Sequence, residues 1–156
     1  MIRRGIKLYI IGYGQDNFKV KKMVIDLQIE DSVKFIPFLK NPFPYVKNAK
    51  FCALTSRHEG FPMVLVEALA CGTPAIVSKL GSMEEIIEDG VTGLHFDKNN
   101  EQDLQKKVAW LVDNPDLLNQ MSKNARSEYL SKYTPDGNYR QLMEIYDAAI
   151  HDSRVK

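Results

Sequence analysis

The stretch FCALTSRHEGFPMVLVEALACGTPAIV, residues 51–77, decides the fold of this 156-residue chain. Phe51 to Thr55 is a near-continuous apolar run and reads as a strand. Ser56 to Gly60 is polar and ends in glycine, so it reads as a loop. Pro62 suits the first turn of a helix, Met63 to Ala70 favour helix, and Gly72 followed by Pro74 stops it. Ala75 to Val77 is then a second strand. Strand, helix and strand in so short a span predict a parallel pair joined by a right-handed crossover, with the strands covered on both faces.

The same alternation continues outward. Upstream, Leu8 to Ile11 is a short β-rich run closed by Gly12-Tyr13-Gly14, and Asp16 or Asn17 can cap a helix defined by Val20, Met23, Val24 and Leu27. Val33 to Ile36 repeats the strand signal, and Asn41-Pro42-Phe43-Pro44-Tyr45 leads into a short helical turn. Downstream, Ser82 and Glu85 have the spacing of a capping box, predicting a helix that ends at Gly90, and Leu94 to Phe96 is the last strand. Three helical patterns follow. Leu104, Val108, Leu111 and Val112 share one face; Asn114-Pro115 opens a helix carrying Leu118, Met121 and Ala125; Tyr139, Leu142, Met143 and Tyr146 mark the third. The expectation is an α/β chain with a Rossmann-like parallel sheet and helices on both faces. It forms a single domain, with a core over residues 1–97 and a helical tail over 98–156.

Composition removes several function classes. The 21 basic and 20 acidic residues nearly cancel, so no strong field draws nucleic acid or an anionic surface. Arg3, Arg4 and Lys7 precede an apolar stretch that Gly12 breaks too soon for a signal peptide. No window approaches the roughly 18 apolar residues a membrane span requires. Cys52 and Cys71 each sit in an apolar run and read as small hydrophobes, consistent with a reducing, cytoplasmic setting. His58, His95 and His151 are too scattered for a metal site, and no Gly-x4-Gly-Lys-Ser/Thr phosphate loop is present. In Gly12-Tyr13-Gly14 the third glycine of a dinucleotide fingerprint is replaced by Asn17, which disfavours a nicotinamide enzyme.

In an open parallel sheet, ligands bind beyond the carboxyl ends of the strands. The loops Gly12 to Gln15, Pro37 to Pro44, Ser56 to Pro62 and Lys79 to Ser82 are therefore expected to line one crevice. The densest cluster, Ser56 to Pro62, sets Arg57, His58 and Glu59 before a helix N-terminus, where free amides favour an anion such as phosphate. Gly60 allows close backbone approach. A carboxylate beside a phosphate site would repel phosphate alone, but it accepts hydrogen bonds from hydroxyls, so sugar and phosphate side by side would use both features. Glu67, eight positions after Glu59, could reach a second set of hydroxyls. The residues alone leave other readings open: Glu67 as a solvated helix position, Glu59 as an acid stabilising the helix dipole, His58 as a packed or surface histidine, and Glu85 as the return arm of the capping box.

The run from Ser56 through Gly60 and Glu67 to Ala68 resembles the Glu-x7-Glu signature of retaining family 4 glycosyltransferases with the GT-B fold. The resemblance extends upstream through Gly12-Tyr13-Gly14, Val33 to Phe38 and Asn41 to Val46. Downstream it runs through Gly72-Thr73-Pro74 to the segment Glu85 to Gly93. It implies the donor-binding C-terminal domain of such an enzyme. Glu59 would be the catalytic-site carboxylate contacting donor-sugar hydroxyls, and Glu67 would meet the ribose. Gly60, Phe61, Pro62, Met63, Val64 and Leu65 would bring backbone amides to sugar and diphosphate. Ile36, Pro37 and Phe38 would border the base, and Gly12 and Gly14 would shape the floor. Ser82 stands where the family often has glycine, and Glu84 where it often has proline, which loosens the expectation for that loop.

The implied reaction moves a hexosyl group, with retention, from a nucleotide-sugar such as a UDP-sugar to a glycan or lipid-linked acceptor. It belongs to surface polysaccharide or glycoconjugate synthesis and needs no metal or other cofactor. The family supplies positive charge from an Arg and Lys pair on a loop well before the Gly-x-Gly turn, and an N-terminal domain binds the acceptor. The sequence begins eleven residues before Gly12, so both are expected to be missing, and Arg3 and Arg4 are poor substitutes. This chain by itself is therefore expected to be inactive. Its uncovered sheet edge near Leu8 to Ile11 is expected to favour self-association, and the complete enzyme would work in the cytoplasm or at the inner face of the membrane. The competing class is a non-catalytic nucleotide-sugar-binding fragment or degenerate gene product; another Rossmann-like enzyme is a third.

Overall fold

The computed structural model describes residues 5–12, 14 and 16–154. Arg3, Arg4, Tyr13 and Gln15, which enter the sequence reading, lie outside the described residues. The chain resolves into two compact units, one up to Tyr45 and one from Val46 onward, and the helices beyond residue 97 belong to the second.

The first unit is a strand–helix–strand: β1 (Leu8–Ile11), α1 (Asn17–Asp26) and β2 (Val33–Ile36). The strands pair in parallel, with Leu8 opposite Val33 and Ile11 opposite Ile36. Asp16 occupies the N-cap of α1, but its side chain accepts no capping hydrogen bond. With two strands and one helix, little apolar surface is covered. Val24 and Val33 are buried, whereas Leu8, Tyr9 and Ile11 remain exposed, as the sequence reading expects of that edge. The Asn41 side chain accepts the Phe43 N–H at 3.1 Å, turning the chain into α2 (Phe43–Asn48).

The second unit carries a three-stranded parallel sheet in the order β3 (Cys52–Leu54), β4 (Ala75–Ser78), β5 (Gly93–Phe96). Between β3 and β4 runs α3 (Met63–Cys71); between β4 and β5 lies the short α4 (Gly81–Glu84). The three later helices are α5 (Glu101–Asp113), α6 (Pro115–Lys132) and α7 (Pro135–Arg154). All four residues of β4 and of β5 are buried, and successive side chains enter opposite layers. Ala75 and Val77 join Leu65, Leu69, Met83 and Ile87 in one cluster, while Ile76 joins Leu94, Phe96, Val108, Leu111 and Met121 in the other. Each fully buried aliphatic side chain contributes roughly 1.5–3 kcal/mol of transfer free energy, so these two layers hold the unit together.

Three sequence expectations need correction. β3 is an edge strand with Ala53 exposed, because it has a strand neighbour on one side only. The capping box at Ser82 and Glu85 does not form: Leu80 is the N-cap of α4, the helix ends at Glu84 rather than Gly90, and the Ser82 hydroxyl bonds elsewhere. Finally, the apolar face of α7 is not buried, with Tyr139, Leu142, Ile145 and Tyr146 all exposed. By contrast Asn100 does cap α5, accepting the Asp103 N–H at 3.0 Å.

Candidate functional site

The predicted site residues fall in two sets, one on each unit. On the second unit, the loop from β3 to α3 holds Ser56 to Pro62 at the carboxyl end of the sheet. It is tied to the segment following β4 by two hydroxyls. Ser78 Oγ donates to the Ser56 carbonyl at 2.7 Å, and Ser82 Oγ donates to the Glu59 carbonyl at 3.0 Å. Two of the expected crevice loops are thus brought together by direct bonds. Sequence reasoning placed Ser82 in a crevice loop but missed both hydroxyl bonds, because their acceptors lie 22 and 23 residues upstream, beyond any local pattern.

The N-terminus of α3 is bare. Pro62 sits at the N-cap in an extended conformation, no side chain caps the helix, and its first turn holds no acidic residue. The Leu65 N–H donates to the Pro62 carbonyl at 2.9 Å, so that amide is committed to the turn, and the Leu65 side chain is wholly buried. The amide set expected of residues 60 to 65 is narrower by Leu65 and by Pro62, whose nitrogen carries no hydrogen to donate. Among the described residues no protein acceptor meets the amides of Gly60, Met63 or Val64. These N–H groups and the helix dipole make the end of α3 electropositive without any cation. Phe61 and Met63 are exposed at 54% and 57%, and Val64 is exposed beside them.

Glu59 is exposed in the loop, and Glu67 is half-buried one turn after Met63 on the same side of α3. Neither carboxylate forms an ion pair among the described residues. Glu67 is near enough to Cys71 to push that thiol up, though burial acts more strongly and Lys47 and Arg126 oppose both. Arg57 and His58 are exposed. Lys79, in the neighbouring loop, already has a carboxylate partner: its Nζ is 2.6 Å from Asp97 Oδ1, a hydrogen bond that raises the Lys79 pKa and lowers that of Asp97.

The segment beyond α4 is held by His95. Its ring Nε2 lies 2.6 Å from the Ile87 carbonyl and its backbone N–H donates to Asp89 Oδ1 at 2.7 Å. His95 is therefore a satisfied core histidine, while Glu85 is exposed. Among the described residues no group of three or more His, Cys, Asp or Glu is placed to hold a metal ion.

On the first unit, Gly12 has a φ of 102° and its N–H donates to the Ile36 carbonyl at 3.0 Å, continuing the β1–β2 ladder. A Cβ there would meet nothing within 4 Å, so the glycine serves the backbone angle rather than packing. The Gly14 carbonyl accepts the Asn17 N–H at 3.1 Å at the start of α1. Ile36 is half-buried, Pro37 is exposed, and Phe38 presents its ring to solvent at 75% exposure. Tyr9 and Tyr45 stack at a tilt, with ring centroids 5.9 Å apart.

Residues 2–128 match the family of glycosyl transferases group 1. The chain belongs to that family. It is 30% identical over 132 residues to an uncharacterized glycosyltransferase of Methanocaldococcus jannaschii, covering 85% of this chain and 36% of that protein. It is 27% identical over 148 residues to the N-acetyl-alpha-D-glucosaminyl L-malate synthase of Bacillus anthracis, covering 95% of this chain and 39% of the synthase. The chain thus spans little more than a third of either relative. The fold is similar to that of HepE from Anabaena, solved in complex with UDP, with a TM-score of 0.84 and 23% identity over 92% of this chain and 41% of HepE. This group 1 family member therefore has the α/β architecture of GT-B glycosyltransferases: parallel sheets, helices on both sides and a helical C-terminal tail. Among the described residues no helix is long and apolar enough to cross a membrane.

Proposed function

We propose that this chain is the donor-binding, C-terminal domain of a retaining glycosyltransferase of family 4, which takes a hexosyl group from a nucleotide-sugar and passes it to a glycan or lipid-linked acceptor. The observation that carries the reading is the bare N-terminus of α3, entered through the Glu59–Gly60 loop and lacking both a cap and an acidic first turn. Such an end receives a diphosphate. The free Met63 and Val64 amides face the phosphates, and the Glu59 carboxylate accepts hydrogen bonds from sugar hydroxyls. Glu67 does the same for the ribose.

In the reaction the bond from the anomeric carbon to the diphosphate oxygen breaks, and the leaving nucleoside diphosphate gathers negative charge. Preorganised amides stabilise that charge better than they stabilise the intact donor, and this difference accelerates transfer. Ile36 to Phe38 and the glycines at 12 and 14 are assigned to the base and the floor on the resemblance in sequence. A UDP-sugar is favoured as donor, since HepE was solved with UDP bound. No divalent ion is required, because the helix end and loop amides supply the positive potential. The acceptor is held by a separate domain.

Calorimetric titration of the chain with UDP, UDP-GlcNAc and GDP-mannose, each with and without EDTA, tests this. Saturable heat with one donor, unchanged by EDTA, is expected. Absence of heat with all three, or heat that EDTA abolishes, would overturn the proposal.

A further inference from the structure

The loop that carries Glu59 and Gly60 is long, exposed and glycine-bearing, yet a donor site needs its amides aimed before the ligand arrives. Among the described residues, two side chains from outside the loop hydrogen-bond to it: Ser78, at the end of β4, and Ser82, in α4. Neither hydroxyl serves its own element. Ser82 is the second residue of α4, where an alanine would suit the helix at least as well, and it turns away from α4 to donate to a carbonyl 23 residues upstream. Ser78 is 2% exposed and donates to the Ser56 carbonyl.

A peptide unit is planar and trans, so its carbonyl and the next N–H point in opposite directions. A hydroxyl bound to the Glu59 carbonyl therefore fixes the direction of the Gly60 N–H and polarises it, making it the stronger donor. The Gly60 N–H has no acceptor among the described residues, and a Cβ at Gly60 would meet nothing within 4 Å. The fold thus leaves this amide without a protein partner among the described residues. The Ser78 bond acts in the same way three residues earlier, on the peptide that ends in the Arg57 N–H.

We infer that Ser82 is a positioning residue for the donor anion, aiming and strengthening the Gly60 amide through the Glu59 carbonyl, with Ser78 anchoring the base of the same loop. The inference rests on the donor-binding reading above. Ser82 is the cleaner member to test, since Glu59 is exposed and its carbonyl can turn to water when the hydroxyl is lost, leaving the fold intact.

The experiment compares the whole chain with its Ser82→Ala and Ser82→Thr variants by amide NMR, first alone and then titrated with UDP and UDP-GlcNAc. Ser82→Ala should keep the wild-type urea midpoint, move the Gly60 amide proton upfield, and weaken nucleotide affinity about 5-fold, the order of one lost hydrogen bond. Ser82→Thr, which keeps the hydroxyl, should restore both the resonance and the affinity to within roughly twofold. A Gly60 resonance unmoved by Ser82→Ala overturns the inference, as does an affinity unchanged in that variant or a loss that threonine does not restore. Wild-type chain that binds neither nucleotide would overturn the donor-binding reading instead, while the ligand-free Gly60 resonance would still decide whether Ser82 aims that amide.

Discussion

Glu59 and Gly60 stand side by side in one loop, and the donor-binding proposal gives them different work that substitution separates. Glu59→Gln keeps an acceptor oxygen but loses the charge, so on that proposal sugar hydroxyls bind it less strongly. In an enzyme complete with its acceptor domain, transfer should fall about 10-fold or more, roughly the loss of one charge-assisted bond, whereas Glu85→Gln in the exposed segment beyond α4 should change it by less than about twofold. Equal losses in assays of initial rate would return Glu59 to a merely structural role. Gly60 has an ordinary backbone angle and open space where a Cβ would go, so the fold does not demand glycine there. Gly60→Ala should leave the thermal midpoint within about 1 °C and weaken nucleotide binding about 10-fold. Calorimetry beside thermal unfolding reads both effects. The thiol of Cys52 gives a pH signature. Burial, and secondarily Cys71, push it up to about 11 from 9.0. The unfolded chain therefore releases this proton first. Stability present below pH 9 is lost as the pH rises through the folded value, by on the order of 3 kcal/mol. Urea midpoints between pH 8 and 11 should fall, and Cys52→Ala should flatten that fall.

Among the elements, β4 and α3 organise the site. β4 is buried along its whole length because α3 and α4 cover one face and α5 the other, with α6 reaching both, and its carboxyl end delivers Ser78 to the Ser56 to Pro62 loop. α3 is stopped by Gly72, in the left-handed region at φ 68°, where the Thr73 N–H returns to the Ala68 carbonyl at 2.8 Å. That stop was legible from glycine followed two residues later by proline. The pairing of β5 with β4 depends on a different glycine. A Cβ on Gly93 would lie 2.0 Å from the Ala75 carbonyl oxygen and 2.7 Å from Ile87 Cγ2. Gly93→Ala should therefore cost about 3 kcal/mol, at the upper end for overpacking, as read by urea unfolding. Capping chemistry operates at Asn100 but not at Ser82, where the sequence reading expects it. Serine three residues before glutamate matches a helix start, yet the backbone enters α4 at Leu80 and the serine lies one residue inside it. A four-residue pattern records spacing only, and a carbonyl delivered from another loop competed for the same hydroxyl.

At the scale of the whole molecule, α7 contributes no residue to either buried cluster. Its apolar stripe has helical spacing, but all of Tyr139, Leu142, Met143, Ile145, Tyr146 and Ile150 stay exposed. Deleting residues 135–156 should then shift the thermal midpoint of the chain by no more than about 2 °C, whereas a helix packed in the core would cost far more. Scanning calorimetry of the two lengths checks this. The order of strands and helices, their parallel pairing through crossovers, the strand boundaries to within a residue or two, and the residues that form the Ser56 to Pro62 loop all follow from the amino-acid sequence. Apolar periodicity, proline and glycine act on near neighbours, and near neighbours are what a sequence displays. Tertiary structure alone decided which faces are covered, that Ser78 and Ser82 hold the Ser56 to Pro62 loop, that Leu65 spends its amide in a turn, and that the apolar stripe of α7 stays exposed. Each of these depends on atoms brought together from distant parts of the chain, or on surface that no neighbour arrives to cover, and neither is encoded in the spacing of adjacent residues.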